Sequence, residues 1–230
     1  MPQPLLEFPG IFRETPVDWS ADPDAIIPDT SGAAGHTHFL QAANKTVALY
    51  RKNGELIASA AFEDFWAGAN TYTVCDGGQG THHGQPYVIY DHMASRWVVV
   101  DVAYTDIDNG PYYLCLAVSN GVPAPVVPGA YFDPDHWKYM AINTAEGQMN
   151  LYPSSPKLGL WPDGYYLSAD MLDVYNIGKD DDPEGVKVWA LNREDLTSPS
   201  TTVIRYIDYY LPEWQNYEHL VPSNLLGYPP

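Results

Sequence analysis

The chain has 230 residues, 45% of them hydrophobic, which provides for one large β domain or two small ones and excludes wholesale disorder. Eleven Lys and Arg against 29 Asp and Glu give a formal charge of −18. That excludes duplex nucleic acid and anionic membrane surfaces, because polyanion binding depends on basic side chains displacing counterions.

Residues 1–35 are rich in Pro and Asp, with scattered Phe8, Ile11, Phe12 and Trp19. They read as an extended N-terminal segment without the basic start and continuous apolar middle of a signal peptide. No apolar run anywhere approaches the roughly 18–20 residues that cross a bilayer. From residue 36 the composition turns to short β runs, and 21 Pro, 18 Gly and 18 Tyr suit short strands joined by tight turns. His38-Phe39-Leu40-Gln41-Ala42 and Thr46-Val47-Ala48-Leu49-Tyr50 are followed by Asn53-Gly54 and Leu56-Ile57-Ala58. An Asn-Gly pair between β-prone runs predicts a hairpin. Residues 61–85 are Gly-rich and irregular.

A second unit runs from Pro86 through Tyr87-Val88-Ile89-Tyr90-Asp91 to Arg96-Trp97-Val98-Val99-Val100, then Tyr112-Tyr113-Leu114-Cys115-Leu116 and Trp137-Lys138-Tyr139-Met140. A third opens at Pro156 with Lys157-Leu158-Gly159-Leu160-Trp161 and turns at Pro162-Asp163-Gly164. It returns through Tyr165-Tyr166-Leu167, Val186-Lys187-Val188-Trp189 and Thr202-Val203-Ile204-Arg205-Tyr206-Ile207. Recurrent four-strand meanders predict an all-β chain of β-propeller blades, about three four-stranded blades within residues 36–230. Propellers close with roughly four to eight blades. The expectation is therefore part of a larger ring, completed by a partner protein chain or by the remainder of a propeller.

Cys75 and Cys115 are the only cysteines, and they suit a disulfide, a buried reduced pair or half of a metal site. His36 with His38, and His82 with His83, are the histidine clusters; without metal-binding spacing they read as backbone-bonding loop residues. Asp106, Asp108, Asp180 and Asp182 lie in acidic, Gly-terminated loops and are the candidates for one structural calcium. No other cofactor is expected, and no catalytic residue stands out, for G-x-S-x-G, phosphate-cradling and triad patterns are all missing. Asn44-Lys45-Thr46 matches the N-glycosylation sequon in what reads as an exposed turn.

Several stretches resemble a group of bacterial secreted or cell-surface β-propeller proteins. They are His38-Phe39-Leu40-Gln41 with Asn44, and Gly84-Gln85-Pro86-Tyr87-Val88-Ile89-Tyr90-Asp91 leading to Arg96-Trp97. Tyr112-Tyr113-Leu114-Cys115, Pro156-Lys157-Leu158-Gly159-Leu160-Trp161-Pro162-Asp163-Gly164 and Trp189-Ala190-Leu191-Asn192-Arg193 continue the match. The resemblance implies an exported propeller of more blades than this chain holds, with Gln85 where such proteins usually carry Asp. Cysteines at matching positions in that group imply a Cys75–Cys115 disulfide, favoured by an oxidising compartment. The resemblance brings no catalytic activity. The functional expectation is a noncatalytic extracellular binding or scaffolding module that docks protein or carbohydrate in a larger surface assembly. The alternative is a glycan-active hydrolase with loop carboxylates at the propeller mouth.

Overall fold

In β6 (Arg96–Ala103) every residue from Trp97 to Ala103 is buried, so both faces of this strand are covered. A strand that alternates sides can bury seven consecutive residues only if both faces of its sheet are covered. Val98, Val100 and Val102 belong to one apolar cluster, and Trp97, Val99 and Ala103 to another. The structure, a computed structural model, describes residues 7–11, 29–78, 80–121, 130–144, 151–176, 183–212 and 219–227.

The fold is all-β, with three four-stranded antiparallel meanders in chain order. Sheet 1 holds β1 (Thr30–Ala34), β2 (His38–Ala43), β3 (Thr46–Arg51) and β4 (Leu56–Ala61). Sheet 2 holds β5 (His82–Asp91), β6, β7 (Tyr113–Ser119) and β8 (Trp137–Asn143). Sheet 3 holds β9 (Leu151–Leu160), β10 (Gly164–Asp173), β11 (Gly185–Asn192) and β12 (Tyr206–Pro212). Two one-turn helices, α1 (Phe62–Trp66) and α2 (Arg193–Thr197), follow β4 and β11. The described residues form no closed ring.

The two clusters are the two interfaces of sheet 2. Toward sheet 3, Val98, Val100, Leu114, Leu116 and Ile142 meet Leu158, Leu160, Tyr165, Leu167 and Trp189. Toward sheet 1, Val99, Cys115 and Ala117 meet Leu40, Val47 and Leu49, with Phe62, Phe65 and Trp66 of α1 filling the wedge. Each fully buried aliphatic or aromatic side chain contributes roughly 1.5–3 kcal/mol, so these faces dominate the favourable side of folding. Cys75 and Cys115 are disulfide-bonded across a separation of 40 residues, tying the 3-10 turn Val74–Asp76 to β7. On the chain-entropy estimate a loop of that length contributes about 4 kcal/mol.

The first strands of the three sheets pack against one another in order, β1 on β5 and β5 on β9. β1 lies inside the stretch that reads from sequence as an extended N-terminal segment. Its Thr-Ser-Gly-Ala-Ala sequence has no large apolar residue, and its burial alternates between exposed and half-buried. Pro86 and Pro156, which read as strand starts, instead lie within β5 and β9. Gln85 and Pro86 bulge out of register between the pairs Gly84–Val102 and Tyr87–Val100. Ser155 and Pro156 do the same between the pairs Ser154–Asp170 and Lys157–Ser168. A proline has no N–H for the ladder, and a bulge is where a strand tolerates that.

Candidate functional site

Two surfaces stand out, one on the outer face of sheet 3 and one between the first strands. On sheet 3, Tyr165, Leu167, Ala169 and Met171 of β10 face sheet 2. The alternate residues Tyr166 and Ser168 therefore face away, and register places them beside Ala190 and Val188 of β11. Those in turn pair with Ile207 and Tyr209 of β12. On this face Ile207 is 75% and Tyr209 64% exposed. With Trp161, Asp163, Leu220 and Pro222 these residues line a cleft of about 600 Å³. Its aromatic walls are fixed: Trp161 Nε1 donates to the Ser223 carbonyl at 3.1 Å, and Tyr166 Oη donates to Asp163 Oδ2 at 2.9 Å.

Residues 219–227 cover the other half of this face. Leu225 N donates to the Leu160 carbonyl at 2.9 Å and Leu160 N to Asn224 Oδ1 at 3.2 Å. Ser168 Oγ donates to the Leu220 carbonyl, and His219 is held by Asp170 through its amide and its ring. The segment thus meets the first two strands of sheet 3, as β5 meets β1 and β2 of sheet 1 and β9 meets β5 and β6 of sheet 2. Gly159 permits this, since a Cβ there would stand 2.4 Å from the Ser223 carbonyl. At the opposite end of the stack, Phe8 caps sheet 1, its ring 5.5 Å from that of Tyr50 and 6.4 Å from that of Phe39.

The second surface is a depression of about 450 Å³ lined by Asp29, Thr30, Ser31, Gln85, Pro86, Tyr87, Ser155 and Lys157. Three of its residues have left-handed backbone: Asp29 (φ 26°), Gln85 (φ 54°) and Ser155 (φ 50°). Such a conformation costs an L-residue roughly 1–2 kcal/mol. Gln85 and Ser155 occupy the same position of matching bulges, so the strain repeats from sheet to sheet. Gln85 Oε1 accepts from Ser155 N at 2.7 Å and from Ser154 Oγ at 3.3 Å, bridging β5 to β9. Ser31 Oγ accepts from Val88 N at 2.9 Å, bridging β1 to β5. Lys157 Nζ donates to the Ser155 and Pro156 carbonyls and stands 5.5 Å over the Tyr87 ring.

The acids nearest the two interfaces are already engaged. Asp91 is fully buried and accepts from Tyr165 Oη at 2.6 Å, Arg193 Nε at 2.6 Å and Nη2 at 3.1 Å, and the amides of Met93 and Ala94 at 2.9 Å. Burial pushes its carboxyl up, but the Arg193 and Tyr165 hydrogen bonds outweigh burial and hold it below its ordinary value. Asp101 is bonded to His82 Nδ1, both side chains wholly enclosed, and burial raises its carboxyl against the pull of that imidazole. His82 also stacks on Trp66 and His83 on Tyr104, so the adjacent histidines turn to different partners. His36 meets the edge of Tyr90, and His38 bonds Thr37. Asp195 is held down at about 2 by hydrogen bonds from Arg205.

Of the calcium candidates, Asp106 uses its carboxylate on Asp108 N and Asn109 Nδ2, closing its own turn. Asp180 and Asp182 lie outside the described residues. Among the described residues no group of three or more His, Cys, Asp or Glu is arranged to hold a metal ion. Asn44 is 4% exposed and Thr46 fully buried, so the sequon turn is an interior feature and offers no glycosylation site. Among the described residues no helix is long and apolar enough to cross a membrane. No family model matches the chain, and no curated protein matches it.

Proposed function

We propose that the chain is a noncatalytic scaffolding module of an exported β-propeller assembly, docking a β-sheet of another protein chain against the outer face of sheet 3. The observation that carries this reading is the cleft face itself. Val188, Ala190, Ile207 and Tyr209 repeat the alternation buried at the other two interfaces, and residues 219–227 meet β9 and β10, the first two strands of sheet 3, which supports this reading. The three successive meanders with neighbouring first strands support a propeller-like stack. The disulfide supports an oxidising, extracellular location.

A photo-crosslinking residue in place of Tyr209, introduced in the producing cell, tests the reading against the same residue in place of Tyr72, which is 93% exposed. The expected result is one discrete adduct with a second protein from position 209 and none from position 72. Equal adducts at both positions, or none at 209, would refute docking on this face.

A further inference from the structure

We propose that the depression between β1, β5 and β9 is a binding site for a small zwitterion, a molecule carrying an ammonium and a carboxylate. The inference stands on residues other than the docking face and is independent of it. The β5 and β9 side offers donors: Gln85 spends its amide oxygen on Ser154 and Ser155, which leaves its NH₂ group to donate. Lys157 uses two of its three N–H groups on the Ser155 and Pro156 carbonyls, leaving the third, and Tyr87 lines the same wall. On the β1 side the acidic residue is Asp29, which lines the cavity. Asp29 directly precedes β1 and Lys157 belongs to β9, the two strands packed on either side of β5, so the two residues border the cavity from different sides. A ligand that places its carboxylate at Lys157 and Gln85, and its ammonium at Asp29, satisfies both.

The backbone favours a built site. Bulges re-aim side chains, and here two of them, at matching positions of neighbouring strands, bring Gln85 and Ser155 onto one depression in a left-handed conformation. A volume of about 450 Å³ falls within the range of small-molecule sites. In a chain of net charge −18 a simple anion is repelled over most of the surface. A ligand with no net charge is not.

Calorimetric titration of the whole purified chain with L-glutamine and γ-aminobutyrate tests this, with N-acetylglycine lacking the ammonium and glycinamide lacking the carboxylate. Two zwitterions are used because they separate the charges by different distances. At least one zwitterion is expected to bind saturably and about tenfold or more tighter than either capped compound. Lys157→Met is expected to erase the advantage over glycinamide, and Asp29→Asn the advantage over N-acetylglycine, with melting temperature unchanged. If either variant fails to fold, ligand-induced movement of the Gln85 side-chain amide resonances in the unaltered chain decides instead. No saturable binding, equal binding of all four compounds, or binding indifferent to both variants overturns the proposal, as does an unmoved Gln85 amide.

Discussion

Asp91 joins three partners that come together only in the folded chain: the β5–β6 turn through the Met93 and Ala94 amides, β10 through Tyr165, and α2 through Arg193. Removing the carboxylate leaves a guanidinium, itself only 17% exposed, without a counter-charge between two sheets. Breaking a buried pair in this way costs about 3–5 kcal/mol, and the partial exposure of Arg193 places Asp91→Ala near the lower figure. Urea unfolding at neutral pH measures it, and a loss under about 1 kcal/mol contradicts the clamp. The sign with pH follows from the direction of the shift. A carboxyl held below its ordinary 3.8 in the folded state stabilises fully above the unfolded value and loses that contribution as pH falls through the folded one. The unaltered chain is therefore expected to weaken below about pH 4 more steeply than Asp91→Ala.

At the scale of strands, the bulges mark where sequence and structure part. Ser155 is exposed, donates from its backbone to Gln85, and has φ 50°. Ser155→Gly removes the left-handed cost while keeping that N–H, so stability is expected to stay level or rise. Ser155→Val places a β-branched side chain in the same conformation and is expected to lower stability by about 1–2 kcal/mol. Thermal melts of the two variants check the pair, and a Val variant as stable as the Gly variant contradicts the strain.

Most strands were legible because alternation and β-branched runs carry them: Arg96–Ala103 and Tyr113–Ser119 are strong enough for the sequence to place them without help. The Cys75–Cys115 pairing was legible through resemblance. β1 was not, since five small residues carry no period, and Pro86 and Pro156 read as starts because a proline within a strand is rare. The depression escaped entirely. Gln85, Ser155 and Asp29 are far apart in sequence; the repeated bulge brings the first two together, and the packing of β1 on β5 brings Asp29 beside them. The signal available was the recurrence of polar-Pro at two unit openings, and it passed for punctuation.

For the molecule as a whole, the order of sheets sets what each surface can do. Sheet 2 is enclosed on both sides, sheet 1 is capped by Phe8, and sheet 3 keeps an apolar face with an edge strand, β12, at its margin. Such a face ordinarily promotes self-association. A charge of −18 per chain opposes it by mutual repulsion that salt screens, the Debye length falling from about 10 Å at 0.1 M to about 3 Å at 1 M. Light scattering is therefore expected to give the 25.6 kDa monomer at low salt and a rising mean mass at about 1 M. Replacing Ile207 and Tyr209 together with Lys is expected to abolish that rise while changing stability by no more than about 1 kcal/mol, because both side chains are largely in water already. Ile142→Lys is the contrast: a fully buried residue that meets sheet 3, where an unpaired ammonium has no water to reach, so this variant is expected to unfold. A double variant that unfolds like Ile142→Lys would mean that Ile207 and Tyr209 serve the core, and the docking face would lose its basis.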